Sequence, residues 1–349
     1  MKKKIAIILA LCVFCMGLAA CTSKDKSPDT SNIISNDTTN DASKGTSNDT
    51  SGNVSKKDEK DTVVCYSFGV MSGGPAWGQY QKGFYDACKE LGWEGQYLCP
   101  TTDNDMNQLF NLHETAISNG ADVMIPCVTD NEAMSDILDK AVGQGITMVG
   151  IGLQDPHIPV LIGTDNINLG YKIAEALVQC MGDKEIHVVT MQTILAHSGQ
   201  TSQVDAFEKR LHELRPDAEI VRREECNSSA QVSQDKLSAI CLANPKTNAF
   251  VSFDCYAGLG AATYVESEGL KGKFCVIGID ASAENFKAMK DGHMDATVAQ
   301  MWYEMGYEAV KLANDLRNGK EVPANNDSGA EIIMPKDIDK WAQKLEIDI

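Results

Sequence analysis

From residue 62 onward, short apolar runs alternate with longer amphipathic stretches. The run "TVVCYSFGV" is almost continuously apolar, which is typical of a buried strand. In the stretch "AWGQYQKGFYDACKEL" that follows, large apolar side chains recur three or four residues apart, from Trp77 to Leu91, which predicts an amphipathic helix. The alternation continues through "DVMIPCV", "EIHVVTM", "NAFVSFD" and "KFCVIGID".

The apolar runs are continuous, so both faces of each predicted sheet should be covered by helices. Many of the predicted helices end on a glycine, which adopts the positive φ that a helix end often requires. These glycines are Gly92, Gly120, Gly145, Gly182, Gly269, Gly292 and Gly319. The pattern predicts an α/β fold with parallel sheets, whose ligands bind beside the carboxyl ends of the strands.

Residues 1–60 follow a different pattern. A charged start at residues 2–4 and an apolar stretch at 5–18 are typical of a secretion signal, here residues 1–20. The tetrapeptide "LAAC" resembles the lipobox of bacterial lipoproteins, which implies lipid on Cys21 and a place on the outer face of the cell membrane. The alternative is an ordinary signal peptide in which Cys21 is incidental.

Residues 21–60 consist mainly of Ser, Thr, Asn, Asp and Lys, and have few large apolar side chains. They cannot bury enough surface to offset their chain entropy, and we predict a disordered tether. The remaining chain is long enough to form two lobes.

The net charge of −18 argues against nucleic acid or anionic lipid as the main partner. Two of the twelve cysteines leave with the signal, and the others lack CxxC or zinc-like spacing, so most are expected to be buried thiols. A single disulfide between Cys65 and Cys99 is one alternative, because these residues end neighbouring predicted strands.

Three motifs resemble catalytic or cofactor signatures but are incomplete. "HETAI" begins at His113 like a zinc-protease motif, yet Ile117 replaces the second histidine. "AHSGQ" has Ala196 where a nucleophile elbow needs glycine, and "GLGAAT" is only part of a dinucleotide fingerprint. We therefore predict no enzymatic activity, no cofactor and no metal site.

Four segments occur in a familiar order: "GQGITMVGIG", "IGTDNINLGYKIAEALV", "NAFVSFDCYAGLGAATYVESEGL" and "FCVIGIDASAENFKAMKDGHMDATVAQMWYEMGYEAV". Together they resemble the ribose-binding class of type I periplasmic binding proteins, the sugar-binding subunits of bacterial ABC importers. The resemblance covers residues 61–349. It implies a small ligand, with a sugar as the first expectation, and an ABC permease in the membrane as partner.

The resemblance also implies two Rossmann-like lobes that are joined by three crossovers and close on the ligand. The lobes would be residues 61–164 plus 301–333 and residues 165–300 plus 334–349. The crossovers would lie near residues 163–166, 299–302 and 332–336.

Candidate ligand contacts follow from the same resemblance. Trp77 would stack on the sugar ring, and backbone N–H groups at Gly74 would replace a polar side chain. The polar residues Asp254, Asp280 and Gln300 follow predicted strands and suit sugar hydroxyls. In "GTDN", Asp165 and Asn166 match a hinge signature and are interpreted as structural.

The sequence departs from the family in two places. Gly152 and Leu153 stand where sugar binders usually have an Asp-Arg pair, and Thr201 or a neighbour replaces a second arginine. The polar residues that could replace these contacts are Gln154, His197, Gln200, Thr201 and Asn227. The departures leave a nucleoside or an amine as alternative ligands. A sensory receptor that acts with a histidine kinase or a chemoreceptor is an alternative function.

Overall fold

The computed structural model describes residues 62–70, 75–102 and 105–349. All of them belong to one structural unit, Asp58–Ile349. The predicted signal, the tether, Cys21 and Gly74 lie outside the described residues.

Strands and helices alternate along the chain as the apolar pattern predicted. The first part contains β1 (Val64–Phe68), α1 (Pro75–Leu91), β2 (Glu94–Leu98), α2 (Met106–Ser118), β3 (Val123–Ile125), β4 (Cys127–Val128), α3 (Asn131–Gly143), β5 (Thr147–Met148), β6 (Ile151–Gly152) and β7 (Leu161–Gly163). The second part contains α4 (Asn166–Met181), β8 (His187–Gln192), α5 (Ser198–Leu214), β9 (Glu219–Glu225), α6 (Ala230–Ala243), β10 (Ala249–Ser252), α7 (Cys255–Ser267), β11 (Cys275–Ile279), α8 (Ala283–Asp291) and β12 (Ala296–Gln300). The last part contains α9 (Trp302–Arg317), β13 (Asn325–Asp327), β14 (Ala330–Ile333), a 3₁₀ turn (Pro335–Asp337) and α10 (Ile338–Leu345).

Two main sheets form the centres of two lobes. In the first, the strands are parallel and run in the order β2-β1-β3-β5. In the second, the order is β14-β12-β11-β10-β8-β9, and only the β12–β14 pairing is antiparallel. This is the two-lobed α/β architecture that the sequence predicts.

Neighbouring residues along the second sheet face different helices. Val188, Val251 and Ile277 belong to one buried cluster with residues of α4 and α5. The adjacent Val189 and Phe250 belong to another cluster, which includes residues of α6, α7 and α8. Covering both faces explains why these strands have no polar alternation.

Helix α9 packs in the first lobe, although it follows the strands of the second lobe in the sequence. Met305, Ala309 and Val310 share one buried core with residues of β1 and α1. The two helices cross at two glycines. A Cβ atom on Gly83 would lie 2.0 Å from the Tyr303 carbonyl oxygen, and one on Gly306 would lie 2.1 Å from the Tyr80 oxygen. Any side chain at either position would push the helices apart.

The chain leaves the second sheet at Gln300 and enters α9 at Trp302. Strand β13 pairs with β7 outside both main sheets. The next strand, β14, pairs with β12 in the second lobe. The predicted third crossover at residues 332–336 is therefore wrong, as is the assignment of residues 330–333 to the first lobe, because this strand completes the edge of the second sheet.

None of the cysteines in the described part of the chain forms a disulfide bond. The alternative of a disulfide between Cys65 and Cys99 is not found, and the buried Cys65 thiol instead contacts the thiol of Cys88. Burial, together with the hydrogen bond to Cys88, raises the pKa of Cys65. No helix within the described ranges is both long and apolar enough to span a bilayer.

Candidate functional site

The carboxylate of Asp280 lies at the carboxyl end of β11. Its Oδ1 accepts a hydrogen bond from the side-chain amide of Gln300 at 3.0 Å and another from the indole N–H of Trp302 at 2.9 Å. The residue is only 6% exposed. Among the described residues, no side-chain donor bonds to its Oδ2 and no lysine or arginine forms an ion pair with it. Asp280 therefore accepts from two neutral side chains and from the backbone of Gln300, and no counter-charge pairs with it within the described part of the chain.

Burial raises the pKa of Asp280 from 3.8 to about 6. The negative charge of Asp254 raises it as well, whereas the hydrogen bonds from Trp302 and Gln300 lower it. At neutral pH the side chain is mostly ionised, although its surroundings oppose the charge.

The backbone at Asp280 is held in an unusual conformation, with φ at +68°. Its N–H donates to the Val298 carbonyl at 2.9 Å. Its own carbonyl accepts from Asn285 Nδ2 at 3.0 Å and from Thr297 Oγ1 at 2.8 Å. Aspartate and asparagine tolerate this left-handed region better than most residues. These buried contacts fix the direction of the Asp280 side chain.

Two tryptophans lie next to each other beside this carboxylate. The ring of Trp302 lies 5.4 Å from that of Trp77, with an interplanar angle of 47°. Trp77 also meets Tyr80 edge-on at 5.6 Å. A Cβ atom on Gly69 would lie 1.7 Å from the Tyr97 hydroxyl oxygen and 3.0 Å from Trp77 Cε3. Glycine at the end of β1 therefore allows the aromatic rings to approach the strand.

Two hydrogen bonds connect the lobes at this point. Gln79 on α1 donates from Nε2 to the carbonyl oxygen of Ala281 at 2.7 Å. Trp302 at the start of α9 donates to Asp280. Both donors lie on helices of the first lobe, and both acceptors follow β11 of the second lobe.

Sequence reasoning missed Gln79 and Trp302. Each stands two residues after a predicted contact, Trp77 and Gln300 respectively, and this proximity was the available signal.

Asp254 lies at the N-terminus of α7, where its carboxylate caps the helix. Oδ1 accepts from the backbone N–H groups of Tyr256 at 2.8 Å and Ala257 at 3.1 Å. Oδ2 accepts from the hydroxyl groups of Thr193 at 2.6 Å and Ser228 at 2.8 Å. Four donors from the protein therefore already contact this carboxylate. A ligand contact at Asp254 stays a prediction.

Thr201 and Asn227 bond within the loops of the second lobe. The Thr201 hydroxyl accepts from Gln192 Nε2 and donates to the Leu195 carbonyl, each at 3.2 Å. The side chain of Asn227 is exposed, and its backbone N–H donates to the Thr193 carbonyl at 2.8 Å. Neither residue hydrogen-bonds to Asp280, and their ligand contacts stay predictions.

The predicted hinge residues make structural contacts. Asp165 caps α4 by accepting from the N–H groups of Ile167 and Asn168, each at 2.8 Å. Its own N–H donates to Asp327 Oδ1 at 2.9 Å, and Asn166 Oδ1 accepts from Gln203 Nε2 at 2.8 Å. These bonds link the end of β7 with β13, α4 and α5.

Comparison with known proteins identifies the family. The model of the periplasmic binding protein domain family matches residues 67–321. The ribose import binding protein RbsB of Salmonella typhimurium is 24% identical over 226 residues, which cover 64% of this chain and 74% of that protein. RbsB of Bacillus subtilis is 22% identical over 268 residues, which cover 76% of this chain and 85% of that protein.

Solved structures have the same fold. The glucose-galactose binding protein GanP of Geobacillus stearothermophilus is 26% identical, with a TM-score of 0.71 over 80% of this chain and 99% of its own. A solute binding protein of Actinobacillus succinogenes with bound D-allose is 22% identical, with a TM-score of 0.73 over the same shares. The chain therefore belongs to the periplasmic binding protein family and has its two-lobed type I fold.

Proposed function

We propose that this protein is the extracytoplasmic sugar-binding component of an ABC importer. Its relatives include ribose import binding proteins and a D-allose-binding periplasmic protein. The observation that carries the proposal is the meeting of Asp280, Gln300, Trp77 and Trp302 where α1 and α9 contact the end of β11. A carboxylate and an amide bind sugar hydroxyls, and an aromatic ring packs on the apolar face of the sugar.

Binding would operate through closure of the lobes. A ligand that contacts both lobes interacts better with the closed form than with the open form, and so shifts that equilibrium. The hydrogen bonds Gln79–Ala281 and Trp302–Asp280 join the lobes beside the site and would favour the closed form. The permease would then recognise this form.

We also propose that lipid on Cys21 anchors the protein and that residues 21–60 tether it near the permease. Tethering raises the effective concentration of the closed form at its membrane partner. Replacing Cys21 with serine should move the protein from the membrane fraction to the medium. An unchanged distribution would contradict the anchor and leave the sugar site unaffected.

The sugar proposal can be tested by thermal shift. The mature chain carrying Cys21→Ser would be screened against pentoses, hexoses and polyols. A sugar at a hundred times its Kd should stabilise the protein by about 2.7 kcal/mol. Trp77→Leu should weaken this binding through loss of the aromatic face. Absence of stabilisation by every sugar would contradict the proposal.

A further inference from the structure

Nine of the segments that follow the carboxyl ends of strands have no lysine or arginine among their described residues. In sequence order these described residues are 69–70, 99–102 with 105, 129–130, 153–157, 193–197, 226–229, 253–254, 280–282 and 301. Their acidic side chains are Asp105, Asp130, Asp155, Asp254 and Asp280. These segments surround the region where a parallel α/β fold binds its ligand.

The first turns of the helices that follow these segments, α1 to α9, also lack lysine and arginine. Three of them contain glutamate: Glu132 in α3, Glu284 in α8 and Glu304 in α9, and Glu304 forms an ion pair with Lys344 at 3.0 Å. Lys344 balances the charge of Glu304, and the net charge of this region is therefore negative. Such a field attracts cationic ligands and opposes sugar phosphates and sugar acids.

Asp280 lies where a positive group of the ligand would be bound most strongly. It is almost completely buried, no lysine or arginine among the described residues pairs with it, and its hydrogen bonds come from neutral groups, the side chains of Trp302 and Gln300 and the backbone of Gln300. A buried carboxylate without a counter-charge is energetically unfavourable, and a ligand ammonium group would supply the missing positive charge.

We propose that the ligand is an amino sugar whose protonated amine pairs with Asp280 while Gln300 binds a ring hydroxyl. The inference rests on the proposed sugar-binding function and specifies its substrate class. It is supported by the raised pKa of Asp280, because a group that is costly to ionise alone gains most from a cationic partner.

The test is isothermal titration calorimetry at pH 7 with the mature chain carrying Cys21→Ser. Glucosamine and galactosamine would be compared with glucose, galactose and the two N-acetylated derivatives. We expect an amino sugar to bind at least about tenfold tighter than its neutral parent and its acetylated form, since one charged hydrogen bond increases affinity by at least this factor.

The Asp280→Asn variant should abolish this preference. Asparagine accepts the same φ and can still accept from Gln300 and Trp302. Asp295→Asn is the matched control. This carboxylate accepts from the Val276 N–H at the amino ends of β11 and β12, on the opposite edge of the sheet. Asp295→Asn should retain the preference.

The pH dependence gives a second readout. Affinity for the amino sugar should fall as the pH is lowered from 7 to 5, because Asp280 is then protonated. Asp254 and the thiol of Cys255 are the titratable groups beside it, and burial raises the pKa of that thiol to about 12. Gln300, Trp302 and Asn285 are neutral neighbours. The Asp280→Asn variant should show no such fall.

Two results would overturn the inference while leaving the sugar function intact. One is equal or tighter binding of the neutral sugars, and the other is an amine preference that persists in Asp280→Asn. Failure of every sugar to bind, charged or neutral, would overturn the proposed function, and the inference with it.

Discussion

Replacing Asp280 with asparagine should stabilise the ligand-free protein at neutral pH, although it should impair binding. Burial raises the pKa of this carboxyl from 3.8 to about 6. A difference of two pKa units corresponds to about 3 kcal/mol of unfavourable ionisation in the folded state. The neutral amide avoids this cost, which is already the net of burial and of the hydrogen bonds from Trp302 and Gln300.

The sign follows from proton binding. Between pH 4 and 6 the folded protein holds the Asp280 proton more tightly than the unfolded chain does, so stability falls as the pH rises through this window. The cost is absent below pH 4 and complete above about pH 6. The advantage of Asp280→Asn should therefore appear only above pH 4 and level off near pH 6.

The assay is urea unfolding of the wild type and Asp280→Asn at half-unit steps from pH 4 to 8, without ligand. We expect equal stability at pH 4 and a gain of about 1–3 kcal/mol for the variant at pH 7. Each protein serves as its own control at the acidic end. A gain that is the same at every pH, or a loss at pH 7, would refute the argument from desolvation.

Three further substitutions test other contacts. In calorimetry, Gln79→Ala should weaken ligand binding up to about tenfold, because the closed form loses an interlobe hydrogen bond. The control variant Gln96→Ala, on the edge strand of the first lobe, should leave the affinity unchanged. Trp302→Phe should lower the free energy of unfolding by about 1.5–3 kcal/mol at pH 7 and by much less at pH 4, since it removes a donor to ionised Asp280. Equal decreases at the two pH values in urea unfolding would contradict this. Burial lowers the pKa of His113 from 6.5 to about 4, so the free energy of unfolding decreases by about 3 kcal/mol as the pH falls through this range. In urea unfolding, His113→Phe should remove this decrease. A variant with the same pH profile as the wild type would contradict the argument.

The fold could be predicted from the sequence because its main signals are local. Continuous apolar runs identified β8, β10 and β11, and a terminal glycine such as Gly292, with φ at +76°, marked the end of α8. The order of these elements then restricts the topology to a parallel α/β fold.

The candidate site was only partly predictable, because it depends on where distant segments meet. Asp280 and Gln300 follow strands and could be proposed from their positions, whereas the indole of Trp302 reaches Asp280 only because α9 packs on α1 of the other lobe. Asp254 combines local and long-range contacts. Its cap contacts with Tyr256 and Ala257 are local, but its bonds to Thr193 and Ser228 depend on β8, β9 and β10 lying side by side.

The placement of α9 and β14 has a consequence for biosynthesis. The first lobe needs residues 302–317 to complete its core, and the second needs residues 330–333 to complete its sheet. A chain that emerges from its amino end therefore cannot complete either lobe until nearly all of it has been made and, if it is secreted, exported. Until then both lobes expose apolar surface, and premature termination after residue 300 would yield two unfinished halves that are prone to aggregate.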